Sequence, residues 1–368
     1  MKLNEIGDIA LREYKSVKYF PFKNQAGAPF SLTSDPLGYL EAWIDSKHSS
    51  IKRDKYKMKK KLVKARYFTQ LSRDFYSSSQ QAKMPSKGTL LYYSFINLVK
   101  VYLIIEGYDL ETKIEHHGIS LPSEFTNKLR LANPNGEGIS IFHEFAKVLG
   151  KEINNGDGTE IKFVDLLWEL PEIHEIGYAL NLFPNTKRKF LPIEIKIRTN
   201  ANRNRMFYTV SYEKKFDKQM KVDKLTKGIF RQKVYEIDIE DDNKRKYFKS
   251  HYSVAYTKHS PRSWTMCYKK MVDDINLLNI TPMLTRQGYR YYINLEPYKL
   301  HRLSSLLGFA YFIGTVARYR PTLNEEVLKG KYQPMINEAI ISCPNQFFYL
   351  MVSHITKQIC AIPMAKIE

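Results

Sequence analysis

Two adjacent histidines, His116 and His117, are the residues of this sequence whose type best suits acid–base or metal chemistry. An imidazole changes its charge near neutral pH, so it can act as a general acid or base or bind a metal ion. Neighbouring side chains do not face one site, however, and no carboxylate at metal-ligand spacing accompanies the pair. A packing or capping role for one of the histidines is therefore the main alternative to catalysis, and no metal site is predicted.

A second group of candidate residues is cationic. The chain has 58 lysines and arginines against 38 acidic residues, which gives a formal charge of +20. Such an excess repels itself unless a polyanion offsets it. Nucleic acid, either RNA or DNA, is the partner that we expect first, and an acidic partner protein is the alternative.

Three basic segments concentrate this charge, namely residues 51–66, 186–189 and 197–205. The last two flank predicted strands beside aromatic residues such as Phe190 and Tyr208, and basic side chains next to aromatic rings suit single-stranded nucleic acid. A solvated basic surface without a ligand is the alternative for each segment. The residues expected to contact phosphate are Lys59, Lys60, Lys61, Arg66, Arg188, Arg203 and Arg205.

Several common catalytic patterns are absent from the sequence. It contains neither a Walker motif nor a dinucleotide fingerprint, and neither G-x-S-x-G nor H-E-x-x-H. The His-Glu pairs that begin at His143 and His174 are expected on the surfaces of amphipathic helices. The three cysteines lack C-x-x-C spacing, which indicates a reducing compartment and no thiolate zinc site. No cofactor is predicted.

Neither the N-terminus nor the apolar segments indicate export or a membrane span. Acidic residues interrupt the N-terminal region where a secretory signal would be apolar. Residues 90–105 are apolar but include polar Asn97 and Lys100, and residues 303–316 are too few to cross a bilayer, which takes about 20 residues. Both segments are predicted to be buried helices, and the protein is expected to be cytoplasmic.

Hydrophobic periodicity divides the chain into four parts and predicts an α+β fold. Residues 1–35 have no clear period and are predicted to form an irregular arm. Helical spacing in residues 36–185 and 297–368 predicts the two parts of one helical domain. Alternation between residues 186 and 296 predicts an antiparallel β-rich insertion.

Within these parts, individual elements follow from local patterns. The segment that ends at Gly107 is apolar on nearly every side, so it is expected to be the central helix of a bundle. Helical patterning is also expected in residues 124–132, and a last helix in residues 344–361. Among the predicted strands are one around Ile195 and one that includes Trp264, Met266 and Tyr268.

The predicted helices carry residues that resemble the YaaC-like proteins of bacteria. That family has a YY-x-x-x-N-x-x-K helix, a His-Gly pair after it and a late helix that ends in Arg-Tyr-x-Pro. The chain is identified as a divergent member, since a tryptophan expected soon after the late proline is missing. The matching residues here are Tyr92, Tyr93, Asn97, Lys100, His117, Gly118, Arg318, Tyr319 and Pro321.

The same arrangement is similar to the HEPN superfamily of helical bundles, which includes many ribonucleases of toxin and antiviral systems. The resemblance implies that an arginine stabilises the charge of the transition state and that a histidine moves the 2′-hydroxyl proton. Arg318 lies on the expected helix, but no histidine follows it closely. The implied catalytic pair would therefore be His117 and Arg318, from separate segments. In that superfamily four to six residues separate the arginine from the histidine. Arg245 and His251 have this spacing, which chance explains in a chain with this many arginines and nine histidines.

Three functions follow as expectations. The first is a nucleic-acid-associated protein of a bacterial defence or stress system, which binds RNA or DNA through its basic surfaces without an evident catalytic set. The second is a metal-independent endoribonuclease. The third is a structural or adaptor subunit that binds an acidic partner protein.

Overall fold

The computed structural model describes residues 1–12, 15–17, 31–51, 56–110, 113–122, 127–132, 138–153, 159–183, 187–200, 202, 204–220, 225, 228–285 and 288–363. The chain divides into two compact units. The sheet unit comprises residues 1–29, 184–297 and 364–368, and the helical unit comprises residues 30–183 and 298–363.

Helices and strands are numbered in chain order. The helices are α1 (Pro36–Ser50), α2 (Tyr56–Gln81), α3 (Ser86–Ile105), α4 (Ile141–Val148), α5 (Phe163–Trp168), α6 (Pro171–Ala179), α7 (Ile229–Lys233), α8 (Pro261–Asn276), α9 (Arg302–Tyr319), α10 (Pro321–Lys329) and α11 (Gln333–Thr356). The strands are β1 (Asp8–Ile9), β2 (Leu11–Arg12), β3 (Lys15–Ser16), β4 (Ser31–Leu32), β5 (Glu115–His116), β6 (Ile119–Ser120), β7 (Lys128–Leu131), β8 (Ile139–Ser140), β9 (Thr159–Lys162), β10 (Phe190–Asn200), β11 (Arg205–Glu213), β12 (Val234–Ile237), β13 (Arg245–Ser250), β14 (Val254–Ala255), β15 (Ile280–Thr285), β16 (Gly288–Asn294) and β17 (Cys360–Ala361).

Helix α3 is the centre of the helical unit, as its apolar sequence predicts. It packs against α2, α9 and α11, and the ring of Phe95 stacks on that of Phe347 with centroids 3.9 Å apart. The helix has the length and hydropathy of a membrane span, but 72% of that span is buried within the protein. Burial of this kind is typical of a core helix. Gly107, with φ of 105°, follows its C-terminus.

Helices α3 and α9 approach each other closely because glycines face each other at the contact. A Cβ atom on Gly314 would lie 3.1 Å from the carbonyl oxygen of Gly88, and one on Gly88 would lie 2.3 Å from Cγ2 of Ile313. The Thr89 hydroxyl also donates to the Gly314 carbonyl at 3.1 Å. Larger side chains would push the helices apart, so these glycines set the spacing.

Two short strands join distant parts of the helical unit. β4 and β17 pair in parallel, with Ser31 opposite Cys360. The Ser31 amide donates to the carbonyl of Ile359 at 2.9 Å, and the Thr33 amide donates to that of Ala361 at 3.0 Å. The first and last described segments of this unit are therefore hydrogen-bonded to each other.

Two half-buried histidines lie at the start of α9 and near the end of α11. Nδ1 of His301 accepts a hydrogen bond from the Leu303 amide at 3.2 Å and caps α9, and the ring centroid of His354 lies 6.0 Å away. Burial, followed by the nearby positive charges, lowers the pKa of His301 from 6.5 to about 3 and that of His354 to about 4. Both imidazoles are therefore neutral in the folded protein over most of the pH range.

These lowered pKa values predict that the helical unit loses stability in acid. Below pH 6.5 the unfolded chain binds protons that the folded chain does not, so the free energy of unfolding falls as the pH falls from about 6.5 towards 4. We expect about 1–2 kcal/mol per histidine, since solvent still reaches both rings. His301→Asn keeps a capping side chain but cannot titrate, so urea denaturation at several pH values should show a shallower loss. An unchanged pH dependence would contradict this assignment.

The core of the sheet unit is an antiparallel sheet in the order β12-β13-β11-β10-β16-β15, with β1 added to β10 and β14 to β11. Helix α8 packs on it through apolar residues such as Met271 and Ile275. Its buried carboxylate, Asp274, accepts hydrogen bonds from the Tyr208 hydroxyl at 2.8 Å and from Nζ of Lys233 at 2.7 Å. This polar contact ties α8 to β11 and to the end of α7.

The structure differs from the expected elements in three places. The predicted strand at Trp264 is part of α8, because Cys267, Met271 and Ile275 form a buried stripe of helical period and Ser260 caps the helix. Residues 128–131, expected to be helical, form β7, whose side chains alternate between exposed and buried. The last helix begins at Gln333 and runs through Pro344.

The two His-Glu pairs also differ from expectation. His143 is 7% exposed and His174 is fully buried, although both were expected on helix surfaces. The Nδ1 atom of His143 lies 2.7 Å from the Ser140 hydroxyl, and the ring of His174 packs edge-on against Trp168. Each histidine therefore belongs to the interior of the helical unit.

Candidate functional site

Helix α3 brings the two candidate catalytic residues into one cluster. The hydroxyl of Tyr92 lies 2.5 Å from Nδ1 of His117. On the next residue, the hydroxyl of Tyr93 accepts a hydrogen bond from Nη1 of Arg318 at 2.6 Å. His117 and Arg318 thus contact two consecutive tyrosines of α3. No hydrogen bond joins the side chain of His117 directly to that of Arg318 among the described residues. We refer to Tyr92, Tyr93, His117 and Arg318 as the His117–Arg318 cluster.

The backbone around His117 is positioned by Gly118. This glycine has φ of 74°, in the left-handed region, and a Cβ atom on it would lie 2.1 Å from the Ser140 hydroxyl and 2.9 Å from Nδ1 of His143. The Phe142 amide donates to the His117 carbonyl at 3.2 Å. Only glycine fits this conformation and this space, so the His-Gly pair is required to hold His117 against α3.

Arg318 is fixed by aromatic rings as well as hydrogen bonds. Its Nε donates to the carbonyl of Gly314 at 3.2 Å, which anchors it to its own helix. The guanidinium lies 5.2 Å from the ring centroid of Tyr93 and 4.9 Å from that of Tyr319, within range of cation–π attraction. Half-buried and planar, the group is suited to bidentate contact with a phosphate.

The electrostatics of the cluster keep both of its proton carriers neutral. Burial, and then the positive charges of Lys100 and Arg318, lower the pKa of His117. Burial raises the pKa of Tyr92, so its hydroxyl keeps its proton. Lys100 itself pairs with Glu115 at 2.6 Å. A neutral imidazole beside a guanidinium can accept a proton while an anion binds next to it.

The outer nitrogen of His117 is open to a ligand. Tyr92 and Tyr311 lie against the ring and desolvate it in part, but the residue as a whole is exposed. Within the described part of the chain no side chain or backbone group forms a hydrogen bond with its Nε2. The Nδ1 contact orients the ring, and when Nδ1–H donates to the Tyr92 oxygen, the lone pair of Nε2 is free to act as a base. Among the described residues, no group of three or more His, Cys, Asp or Glu residues could hold a metal ion.

The predicted phosphate-binding residues of α2 occupy different environments. Lys59 and Lys60 form no ion pair with any described residue. Lys61 donates to the carbonyl of Gly107 at 2.6 Å, where it stabilises the C-terminus of α3. Arg66 pairs with Glu41 at 3.0 Å and with Asp45 at 3.2 Å. Of these four residues, Lys60, which is exposed, and Lys59, which is partly exposed, are therefore the ones whose charge is available to a ligand.

The predicted residues of the sheet unit are also unequal. Arg188 is 8% exposed, and its Nε donates to Gln219 at 2.7 Å, while its guanidinium lies on the ring of Phe216. Arg205 is exposed and donates to both the hydroxyl and the carbonyl of Ser253 at 2.9 Å. Arg203 lies outside the described residues. Arg188 thus has a structural role, whereas Arg205 remains accessible.

An exposed aromatic stripe on α2 is a feature that sequence reasoning missed. Tyr56, Val63 and Tyr67 are 70%, 58% and 55% exposed, and their spacing places them on one helix face together with Lys60. The spacing of these residues is visible in the sequence. The sequence does not show, however, that this face of the helix is the one left uncovered by the rest of the chain.

One comparison identifies relatives of the chain. A family model described as YaaC-like Protein matches residues 21–355. Searches among curated proteins and among solved structures return no significant match. The family match covers both units and includes every motif on which the resemblance was based. The chain therefore belongs to the YaaC-like protein family.

Proposed function

We propose that this protein binds single-stranded nucleic acid, RNA or DNA, through the exposed face of α2. The observation that carries the proposal is the mixture of tyrosine and lysine on that face. Tyr56 and Tyr67 lie about 16 Å apart along the helix, from a rise of 1.5 Å per residue. Rings at this spacing can stack on bases, while Lys59 and Lys60 neutralise the phosphates between them.

The same proposal includes the biological role of the protein. We extend the proposal to a role in a bacterial defence or stress system, because the sequences of α3, the His-Gly pair and α9 resemble those of HEPN proteins. Helix α2 also adjoins the His117–Arg318 cluster, since the ring of Phe75 stacks on that of Tyr93 with centroids 5.2 Å apart.

Binding to a labelled single strand should weaken steeply as salt rises. Each phosphate neutralised contributes a slope of about 0.7 in log affinity against log salt for a single strand. The double variant Lys59→Gln/Lys60→Gln should reduce that slope by about 1.4 and the affinity by about tenfold. Tyr56→Ala/Tyr67→Ala should lower the affinity without changing the slope, because stacking releases no counterions. Fluorescence anisotropy at several salt concentrations measures both quantities.

Lys329→Gln is the control for this experiment. Lys329 is exposed and pairs with Glu325 four residues earlier on α10, so removing its charge should leave the slope unchanged. Absent binding, or binding that does not depend on salt, would contradict the proposal. Purification with an acidic protein and no nucleic acid would instead favour the adaptor function.

A second candidate function is metal-independent RNA cleavage, favoured by the open Nε2 of His117 beside Arg318. In this step Nε2 takes the proton of a 2′-hydroxyl, and the oxygen attacks the adjacent phosphorus. The bond from phosphorus to the 5′-oxygen breaks, and the leaving oxygen takes a proton from water. The guanidinium of Arg318 stabilises the charge on the phosphorane oxygens. The products are a 2′,3′-cyclic phosphate and a 5′-hydroxyl.

A further inference from the structure

A cavity of about 540 Å³ opens on the helical unit, and none of its lining residues belongs to the His117–Arg318 cluster or to α2. Its walls come from β7, from the junction of β9 with α5, and from α10 and α11. Three of its apolar residues are buried, with Phe163 at 3%, Val327 at 8% and Ile336 at 0% exposure. A concave site of this size with an apolar floor can hold a small organic molecule.

The rim of the cavity is positively charged. Lys128, Lys162 and Lys331 line it together with one carboxylate, Glu326. Lys128 and Lys162 stand directly opposite each other in the antiparallel ladder of β7 and β9. Like charges in that position are destabilising unless an anion lies between them. Of the three lysines, Lys128 forms an ion pair with Glu160 at 2.7 Å. Lys162 and Lys331 have no ion pair with any residue that the structure describes.

We propose that this cavity binds a nucleoside monophosphate. The lysines suit the phosphate, and the apolar floor with the ring of Tyr332 suits a flat base. Glu326 and the side chain of Asn127 supply the polar groups that a base amine or a ribose hydroxyl requires. A fatty acid would offer Glu326 no donor, and inorganic phosphate would leave the apolar floor empty, so a ligand with all three features fits best.

The proposal can be tested by calorimetry on the full-length protein. The ligands are AMP, GMP, CMP and UMP, each compared with its nucleoside, with inorganic phosphate and with decanoate at constant ionic strength. At least one monophosphate should bind about tenfold more tightly than its nucleoside and than either simple anion. Lys162→Gln should weaken that binding by about tenfold.

Two further variants make the outcome decisive. Lys83→Gln removes an exposed lysine outside the cavity and should leave the affinity unchanged. Val164→Trp fills the cavity from a half-buried wall position and should abolish binding. Its unfolding temperature shows whether this variant is still folded. If it is not, the comparison of Lys162→Gln with Lys83→Gln tests the binding site. No monophosphate binding, equal binding of the nucleoside or of decanoate, or equal effects of Lys162→Gln and Lys83→Gln would overturn the proposal. None of these residues belongs to the proposed nucleic-acid surface, so the two proposals fail separately.

Discussion

Replacing Glu172 by glutamine is expected to lower the free energy of unfolding of the helical unit by about 3–5 kcal/mol. Glu172 lies in the first turn of α6, and its Oε1 accepts from Nη2 and Nε of Arg302 at 2.6 and 3.0 Å. The two side chains are 1% and 7% exposed. The substitution would leave the guanidinium buried without its counter-charge, and Gln346, at 3.2 Å, can only partly compensate.

Glu325→Gln provides the matched control for this substitution. Glu325 and Lys329 form the same kind of pair on the surface of α10, with side chains 65% and 72% exposed. An exposed helical pair contributes only about 0.3–0.5 kcal/mol. Urea denaturation followed by far-ultraviolet circular dichroism should therefore separate the two variants clearly. Similar losses would show that the buried pair is not a strong stabilising contact.

Replacing His117 by alanine is expected to reduce metal-free RNA cleavage by about 10²–10⁴-fold, the usual contribution of a general base. The reaction is followed with end-labelled RNA in the presence of a chelator, and the products are examined for a 2′,3′-cyclic phosphate. Loss of the imidazole removes the proton acceptor, while Gly118 and the contacts of the backbone remain. Circular dichroism should show an unchanged fold.

His116→Gln is the control for that variant, because His116 is the neighbouring imidazole but makes no contact with Tyr92. It should cleave RNA at the rate of the unmodified protein. Tyr92→Phe tests the positioning of His117: loss of the hydroxyl should shift the pH dependence of cleavage as well as its rate. The ribonuclease function is wrong if His117→Ala retains the full rate, or if His116→Gln loses as much activity.

The sequence allowed some elements to be predicted because their signals are local. Helices α3 and α9 are apolar on nearly every side. Such long apolar segments are longer than a typical strand, so they predict buried helices. The segment around Trp264 was predicted as a strand because, over only five residues, an alternating pattern and a helical pattern share positions. Met271 and Ile275, further along the chain, continue the helical spacing and distinguish the two patterns. Strand β7 has the same difficulty, since its identity depends on partners in β6 and β9.

The candidate site was predictable only in part for a related reason. His117 and Arg318 are marked by the motifs around them. The availability of a cation depends instead on partners far away in the chain. Arg66 contacts Glu41 and Asp45, and Arg188 contacts Gln219. No composition or spacing rule shows which of several arginines has such a partner.

The pairing of β4 with β17 has a consequence for synthesis on the ribosome. Helices α1 to α3 emerge early, but α9 and α11, which cover α3, emerge only after the whole of residues 184–297 has been made. Until then the faces of α3 that α9 and α11 cover stay exposed, although α2 already packs on the helix, and exposed apolar surfaces promote aggregation. The pairing of β4 with β17 can form only after Cys360 has been made and reaches Ser31. We therefore expect the yield of the helical unit in the cell to depend on chaperones that hold the unfinished chain.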